Sequence, residues 1–363
     1  MRGCGAFVIA KLPRAVTRTV TRGPYYNPGV DRPSKIVVLY NLEGEGAAID
    51  AASVADAATA IAGALNTCGF RATTATLRGT DVFEVLPALR GADLVFNLCE
   101  AMAGDSRNEP TFVGLLDLFG IAYTGADLLG LASCLYKARA KDILIGRAVS
   151  TPPYRLLDAA ALADPSLDAL DYPWFVKLVH EDASVGITEA NVVRSAADLR
   201  ARSRELIAQY KQPVIAERYV EGREINVTLI GNGAHPRVLP LHEIDFAAMP
   251  ADRPRIVSYA AKWDEAHVDY EGTKPVPLRD ASPAMIEAVE RVAREAWHAL
   301  GLRDYGRVDL RVDAAGVPWV IDVNPNCDIS PDAGVARSAK VAGMTYPQLI
   351  ELIAMTAWRR IKS

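Results

Sequence analysis

Apolar residues along this chain occur in two spacings, and their alternation predicts its class. Residues 35–40 (K-I-V-V-L-Y) form a short apolar run suited to a buried strand. Over 50–65 small and apolar residues recur at helical spacing, ending near Cys68-Gly69. Residues 71–77 and 92–98 read as two more strands, 110–119 as a helix closed by Gly120, and 121–125 as a short edge segment with a turn. This rhythm predicts an α/β fold with a parallel sheet and crossover helices. Further on, the spacing predicts a long amphipathic helix over 128–146 carrying Lys137 and Lys141, and a break at Thr151-Pro152-Pro153. It then predicts a strand over 173–179, a helix over 196–210, strands over 214–218 and 224–231, and a strand ending in 256–263. Residues 282–300 are a helix with one apolar stripe (Met285, Ile286, Val289, Val292, Ala296, Trp297, Leu300), and 346–361 a closing helix.

One stretch adds chemistry to this pattern. Two apolar runs, 308–312 and 317–323, flank Ala314-Ala315-Gly316, which reads as strand, tight turn, strand. Asp309 stands on the first strand, and Asp322 and Asn324 on the second. Residues two apart on a strand share a face, so Asp322 and Asn324 point the same way. Beside Asp309 they make a hard oxygen cluster of the kind that holds magnesium with nucleotide phosphates. Arg307 lies two before Asp309 and sets a cation beside it. Acidic residues at a hairpin are usually solvated, but Asp322 sits inside W-V-I-D-V-N, where an unpaired carboxylate is costly and a metal or a cation compensates it.

Length and charge narrow the class. A chain of 363 residues suggests two or three domains at roughly 150 residues each. With 40 basic and 44 acidic residues the net charge is −4, which favours neither nucleic acid nor a membrane surface as partner. Five scattered cysteines without a C-x-x-C pair indicate neither a disulfide framework nor a structural zinc site, and a reducing cytoplasm fits best. No apolar run approaches the ~20 residues of a membrane span. The first 34 residues are basic, with six Lys or Arg against Asp31, and form an extension ahead of the sheet.

Four features precede the oxygen cluster. Lys177 interrupts the apolar strand Y-P-W-F-V-K-L-V, where a lysine either snorkels or meets an anion. The small, polar stretch H-E-D-A-S-V-G (180–186) suits a loop that folds over phosphates, though it is poor in glycine. P-V-I-A-E-R-Y-V-E-G-R-E-I-N-V (213–227) is a strand running into a connector between Glu217 and Glu224, which could meet a planar base and a ribose. Y-A-A-K-W adds Lys262. Each lysine beside a phosphate oxygen has about 4 kcal/mol of gross Coulomb energy at ~4 Å and an effective dielectric of ~20. Cations from separate segments could therefore hold a triphosphate together where one alone would not.

The ordered set P-W-F-V-K, E-R-Y-V-E-G-R-E, Y-A-A-K-W, R-V-D-L-R-V-D and D-V-N-P-N resembles the ATP-grasp superfamily. Within it the chain is similar to D-alanine–D-alanine ligases and their relatives, with F-N-L-C-E (96–100), G-I-A-Y-T-G (120–125) and T-P-P-Y (151–154) in the same pattern. The resemblance runs from about Lys35 to the C-terminus. It implies an ATP-grasp fold: an N-terminal parallel α/β domain over 35–126, a central lobe over 127–216 and a C-terminal lobe over 217–363, the two α+β lobes enclosing ATP. It implies Lys137, Lys177 and Lys262 at the phosphates, Glu217 with the backbone of Arg218 and Val220 at the adenine, and Glu224 at the ribose. It implies Asp309, Asp322 and Asn324 on Mg2+ or Mn2+, Arg307 at the reacting carbonyl, and Ser184 in a mobile loop over the site.

The implied reaction joins small-molecule carboxylate and amine substrates through an acyl phosphate. Homodimers are common in that family, so a homodimer is the expected assembly. Cys327 could be a nucleophile, but the backbone geometry of its loop explains it better. Three departures concern the substrates. The chain has N-L-E-G-E-G-A-A-I-D where the family has a Gly-Gly pair and an amine-holding glutamate, so Glu43, Glu45 and Asp50 are the alternatives for that role. Ala183 replaces a loop serine, and P-N-C-D-I-S-P-D-A-G replaces the P-G-M-T segment that receives the second substrate. An intact ATP half with altered substrate pockets suggests a ligase of specialised metabolite biosynthesis. The alternatives are an authentic D-alanine–D-alanine ligase and a nucleotide-binding regulator with a dead site. An NAD enzyme is disfavoured because no G-x-G-x-x-G follows the first strand.

Overall fold

The computed structural model describes residues 31–42, 48–181 and 184–363. Most of the basic extension, Glu43, Glu45, the side chain of Asp50, and Ala183 lie outside the described residues.

Strands β1 (Lys35–Leu42), β2 (Arg71–Arg78) and β3 (Leu94–Asn97) form a parallel sheet in the order β2-β1-β3, extended by a parallel bridge from Val95 to Tyr123. Helices α1 (Ala48–Thr67), α2 (Val82–Arg90) and α3 (Glu109–Leu118) connect and cover it. The continuous apolar run in β1 follows from this burial on both faces. Ile36 and Val38 face α1 and the C-terminal helix, whereas Val37 and Leu39 face α2 and α3.

The expected single helix over 128–146 is two helices, α4 (Leu128–Leu135) and α5 (Lys137–Gly146), broken at Tyr136, whose φ of −92° and ψ of 91° are extended. The break makes Lys137 the first residue of α5, beside the end of the next sheet, where its N–H donates to the Val179 carbonyl at 3.3 Å. That sheet comprises β4 (Tyr154–Leu157), β5 (Trp174–Leu178), β6 (Val192–Val193) and, after α6 (Ala196–Tyr210), β7 (Val214–Arg218). All pairings are antiparallel, in the order β4-β7-β5-β6, and α6 packs on one face.

The larger sheet collects β8 (Arg223–Gly231), β9 (Arg237–Val238), β10 (His242–Asp245), β11 (Lys274–Pro277), β12 (Asp304–Val312) and β13 (Pro318–Pro325) in the order β11-β10-β8-β12-β13, with β9 on β8. Helix α9 (Pro283–Ala299), which carries the predicted stripe, covers one face together with Ala140 and Leu144 of α5. Between β10 and β11 lie short helices α7 (Tyr259–Trp263) and α8 (Val268–Gly272). Residues 256–263 therefore end in a helix, not a strand. Ser258 caps it by accepting from the Ala261 N–H at 3.1 Å, and serine at that position favours a helix start. Helices α10 (Gly334–Val341) and α11 (Tyr346–Lys362) close the chain, α11 packing on α1.

Candidate active site

The hairpin β12–β13 places its polar residues as residue spacing alone requires, up to Asp309. Asp309 pairs with Asp322 and Arg307 with Asn324, so all four stand on one face. Asp313 closes the turn, accepting from the N–H groups of Ala315 and Val317 at 3.0 and 2.9 Å. Past Asp309 the register shifts, because Leu310 pairs with Val320 and Ile321 is left over. This bulge lets Val320 and Val323, three residues apart, both reach the apolar face under α9. It also turns the Ile321 carbonyl out of the ladder, where it accepts from Lys177 Nζ at 2.9 Å.

Asp309 is buried and fully engaged. Arg307 donates to both its oxygens at 2.7 and 2.8 Å, Asn226 of β8 to Oδ1 at 2.7 Å, and Asn324 to Oδ2 at 3.1 Å. Burial opposes the Arg307 charge, but Asp309 outweighs it and raises the guanidinium pKa further. Asp322 is half-buried, with Lys137 Nζ 3.9 Å from Oδ1. Burial acts to raise its pKa, yet Lys137, Lys177, Arg307 and Lys141 together hold it below the usual carboxylate range. Cations from three segments thus compensate the carboxylate that the sequence marked as costly.

Behind Asp322 lies a buried ionic knot. Glu217 sits between two lysines, with Lys177 Nζ 2.9 Å from Oε1 and Lys141 Nζ 3.2 Å from Oε2. Lys141 also donates to Thr151 Oγ1 at 2.7 Å, and that hydroxyl donates to the Val320 carbonyl at 2.8 Å. The knot ties the central sheet, α5 and β13 into one unit. Burial, only partly offset by Glu217, pulls the Lys141 pKa down to about 8. Lys141 and Thr151 were not among the predicted site residues. The legible signal for Lys141 was its place one helical turn after Lys137, on the same face.

The remaining predicted residues divide. Lys262 lies within electrostatic reach of Arg307, Asp309, Asp322 and Glu224. The residue itself is exposed, but the protein packed round its charge desolvates it, and this with Arg307 lowers its pKa. Ser184 donates to the Val257 carbonyl at 3.0 Å, and the Ile187 carbonyl accepts from the Tyr259 N–H at 2.9 Å, so the loop after β5 is joined to the segment carrying Lys262. Glu224 accepts from the buried Arg311 at 2.7 and 3.1 Å, which also donates to the Val220 carbonyl at 2.9 Å. The Arg218 N–H donates to the Pro153 carbonyl at 2.9 Å. The groups expected at adenine and ribose therefore have protein partners here, and Glu217 faces lysines. Asn226 and Arg311, which pin Asp309 and Glu224, were not predicted either; pairing across β8 and β12 brings them there.

The donor set of Asp309, Asp322 and Asn324 fits a hard divalent ion, since two carboxylates and an amide oxygen suit Mg2+ or Mn2+ beside phosphate oxygens. Among the described residues no group of three or more His, Cys, Asp or Glu could hold a metal, so a softer or all-protein cage is not offered. Cys327 is buried, which with nearby Asp309 outweighs Arg307 and pushes its thiol up to about 12. A thiol so disfavoured as thiolate is a poor nucleophile. No helix among the described residues is long and apolar enough to cross a membrane.

Known proteins are similar to this chain in sequence and in fold. A family model described as "D-ala D-ala ligase C-terminus" matches residues 153–354. The chain is 31% identical over 275 residues to the uncharacterized protein y4sG of Sinorhizobium fredii, covering 76% of this chain and 77% of that one. It is 29% identical over 277 residues to a D-alanine–D-alanine ligase of Bordetella petrii, covering 76% and 79%. The fold matches the Bacillus anthracis D-alanine–D-alanine ligase crystallised with ATP at a TM-score of 0.71 and 22% identity, over 91% of this chain and 99% of that one. The chain belongs to the ATP-grasp carboxylate–amine ligases of the D-alanine–D-alanine ligase type, enzymes that form carbon–nitrogen bonds.

Proposed function

We propose that this enzyme uses ATP to activate a carboxylate and joins it to an amine of amino-acid type, releasing ADP and phosphate, in specialised metabolite biosynthesis. The observation that carries the reading is the convergence of Lys137, Lys141, Lys177 and Arg307 on Asp322, from α5, β5 and β12. A cationic basin of this kind round two carboxylates suits a polyphosphate bridged to a divalent ion. ATP and a divalent ion are the cofactors the reading requires.

In this reading Lys137 and Lys177 bind phosphate oxygens, with Lys262 reaching in from α7. Each contributes gross attraction on the order of 4 kcal/mol at ~4 Å and an effective dielectric of ~20. Asp322, with Asp309 and Asn324 once the donors now on Asp309 shift, would hold the divalent ion, which when bound would neutralise charge on the transferring phosphoryl group. The substrate carboxylate attacks the γ-phosphorus, the bond to ADP breaks, and an acyl phosphate forms. The amine then attacks the acyl carbon, phosphate leaves with the bonding pair, and the nitrogen sheds its proton. Arg307, held by Asp309, neutralises the oxyanion of that second step in this reading. Ser184 and its loop, bonded to residue 257, shield the reacting atoms from water. Glu217 with the backbone of Arg218 and Val220 receives adenine, and Glu224 receives ribose, once their present partners shift. No protein nucleophile takes part.

The altered segments at 41–50 and 325–334 support a substrate pair other than two D-alanines. ATP-dependent phosphate release across a panel of L- and D-amino acids, with product masses, tests this. A mixed amide product is expected. Turnover with D-alanine alone would return the chain to cell-wall synthesis, and silence with every carboxylate and amine would leave a nucleotide-binding protein without ligase activity.

A further inference from the structure

Arg311 of β12 is a buried cation, 4% exposed, that ties together β8, the β7–β8 connector and the stretch leading to α7. Alternation along β12 puts it on the face of Arg307 and Asp309, opposite Glu224 of β8. Its Nε and Nη2 donate to Glu224 Oε2 at 3.1 and 2.7 Å, and its Nη1 donates to the Val220 carbonyl at 2.9 Å. Nη2 also donates to the Arg255 carbonyl, which accepts from the Tyr219 hydroxyl at 3.1 Å. The ring centroids of Tyr219 and Phe246 stand 5.1 and 5.9 Å from the guanidinium carbon. Burial opposes the Arg311 charge, but Glu224, with Tyr219, outweighs it and raises the pKa.

Glu224 is held unevenly. Both bonds from Arg311 fall on Oε2; among the described residues Oε1 has no hydrogen-bond partner, and it is not sealed from solvent. The Glu224 side chain is only 12% exposed, so the carboxylate is largely desolvated yet keeps one oxygen open. Stability alone does not call for this pair, since apolar residues in place of a buried ion pair are often as stable or more so. An ionised oxygen left open in such surroundings suits a hydroxyl donor, because a charge-assisted hydrogen bond is strong there. Its neighbours agree: Val220 belongs to the connector read as the adenine segment, and Lys262, read as a phosphate lysine, lies within electrostatic reach of Glu224. The shift that admits a ribose is then small, with Arg311 staying on Oε2 while Oε1 turns to the sugar.

We propose that Arg311 is a positioning residue of the nucleotide site: it grips Glu224 by Oε2 so that Oε1 accepts from a ribose hydroxyl, and it thereby sets the preference for a ribonucleotide. This rests on the ATP reading above and adds the residue on which sugar selection depends. Arg311 acts through Glu224 and not on the phosphates.

The test is calorimetric titration of the full chain, in Mg2+, with ATP, with a dideoxy-ATP lacking both ribose hydroxyls, and with inorganic tripolyphosphate. The wild type should bind ATP at least about tenfold more tightly than the dideoxy nucleotide, as loss of a hydrogen bond to a charged group warrants. Arg311→Met should shrink that ratio to within about threefold and keep tripolyphosphate affinity within about threefold of wild type. Adding Arg311→Met to Glu224→Gln should change ATP affinity by less than about twofold, because both act through one carboxylate. That comparison leaves no buried charge unmatched and does not need Arg311→Met alone to fold. A ratio that survives Arg311→Met, an equal fall for all three ligands, or additive losses in the double variant would reduce Arg311 to a structural residue and overturn the proposal. Equal wild-type affinity for ATP and the dideoxy nucleotide would also overturn it while leaving the ATP reading intact. Absence of ATP binding to the wild type would remove both.

Discussion

Replacing Lys141 with methionine isolates the cost of the ionic knot. Lys141 is buried, and its pKa is drawn from 10.5 to about 8 by desolvation that Glu217 only partly offsets. Below pH 8 the ammonium is charged in both folded and unfolded chains, and the folded state carries the full penalty, roughly 3 kcal/mol at ~1.4 kcal/mol per pKa unit. Between about 8 and 10.5 the unfolded chain binds the proton and the folded chain does not, so stability rises with pH. The sign is that of any group with a depressed folded pKa: stability is greatest above the unfolded value and is lost as pH falls through the folded one. By pH 9.5 about 2 kcal/mol should be recovered. Other groups titrate in the same window; Cys327, pushed up to about 12 mainly by burial, removes stability as pH rises past the ordinary thiol range. Subtracting the variant removes those shared terms. Urea unfolding of wild type and Lys141→Met at pH 7 and 9.5 should therefore show a stability difference that moves by about 2 kcal/mol in favour of the wild type at the higher pH. A difference constant to within about 0.5 kcal/mol would mean that Lys141 is solvated, and the knot as described would be wrong.

Two further outcomes follow from named contacts. Asp322→Asn removes the carboxylate on which four cations converge; turnover should fall by at least about a hundredfold with weaker Mg2+-dependent nucleotide binding, and a wild-type rate in steady-state assays would exclude it from the metal site. Gly222→Ala puts a β-carbon 1.9 Å from the Val312 carbonyl oxygen at a residue whose φ is +150°; thermal unfolding should show a loss of about 2 kcal/mol or more, and an unchanged Tm would mean the β7–β8 turn does not press on β12 as drawn.

What could be read from the sequence depended on how local each determinant is. Arg307, Asp309, Asp322 and Asn324 were legible because strand alternation and a tight turn fix which side chains share a face. The bulge at Ile321 was not, since it is set by the need of Val320 and Val323 to reach α9, a demand from another element. The helix break at Tyr136 also escaped, because neither proline nor glycine marks it, and the α5 that follows packs on α9, a partner distant in sequence. Residues 256–263 read as a strand from apolar content alone; the N-cap Ser258, bonded to Asp269 at 2.6 Å, was the overlooked sign of a helix. Lys177 was left between snorkelling and meeting an anion, and it meets one, but the anion is Glu217.

That last pairing bears on how the site works. Glu217 cannot receive adenine while both its oxygens are held by Lys141 and Lys177, and Lys177 cannot give its full charge to phosphate while it holds Glu217. A triphosphate that draws Lys177 away would leave Glu217 with Lys141 as its fixed partner. Lys141 is anchored independently by Thr151 to β13, so it can keep the carboxylate in place through the exchange. The buried lysine that costs stability in the free protein is then the one that keeps Glu217 from becoming an uncompensated charge when nucleotide arrives. A purely apolar replacement would remove that cost and also that safeguard, so stability and nucleotide affinity should move in opposite directions at position 141.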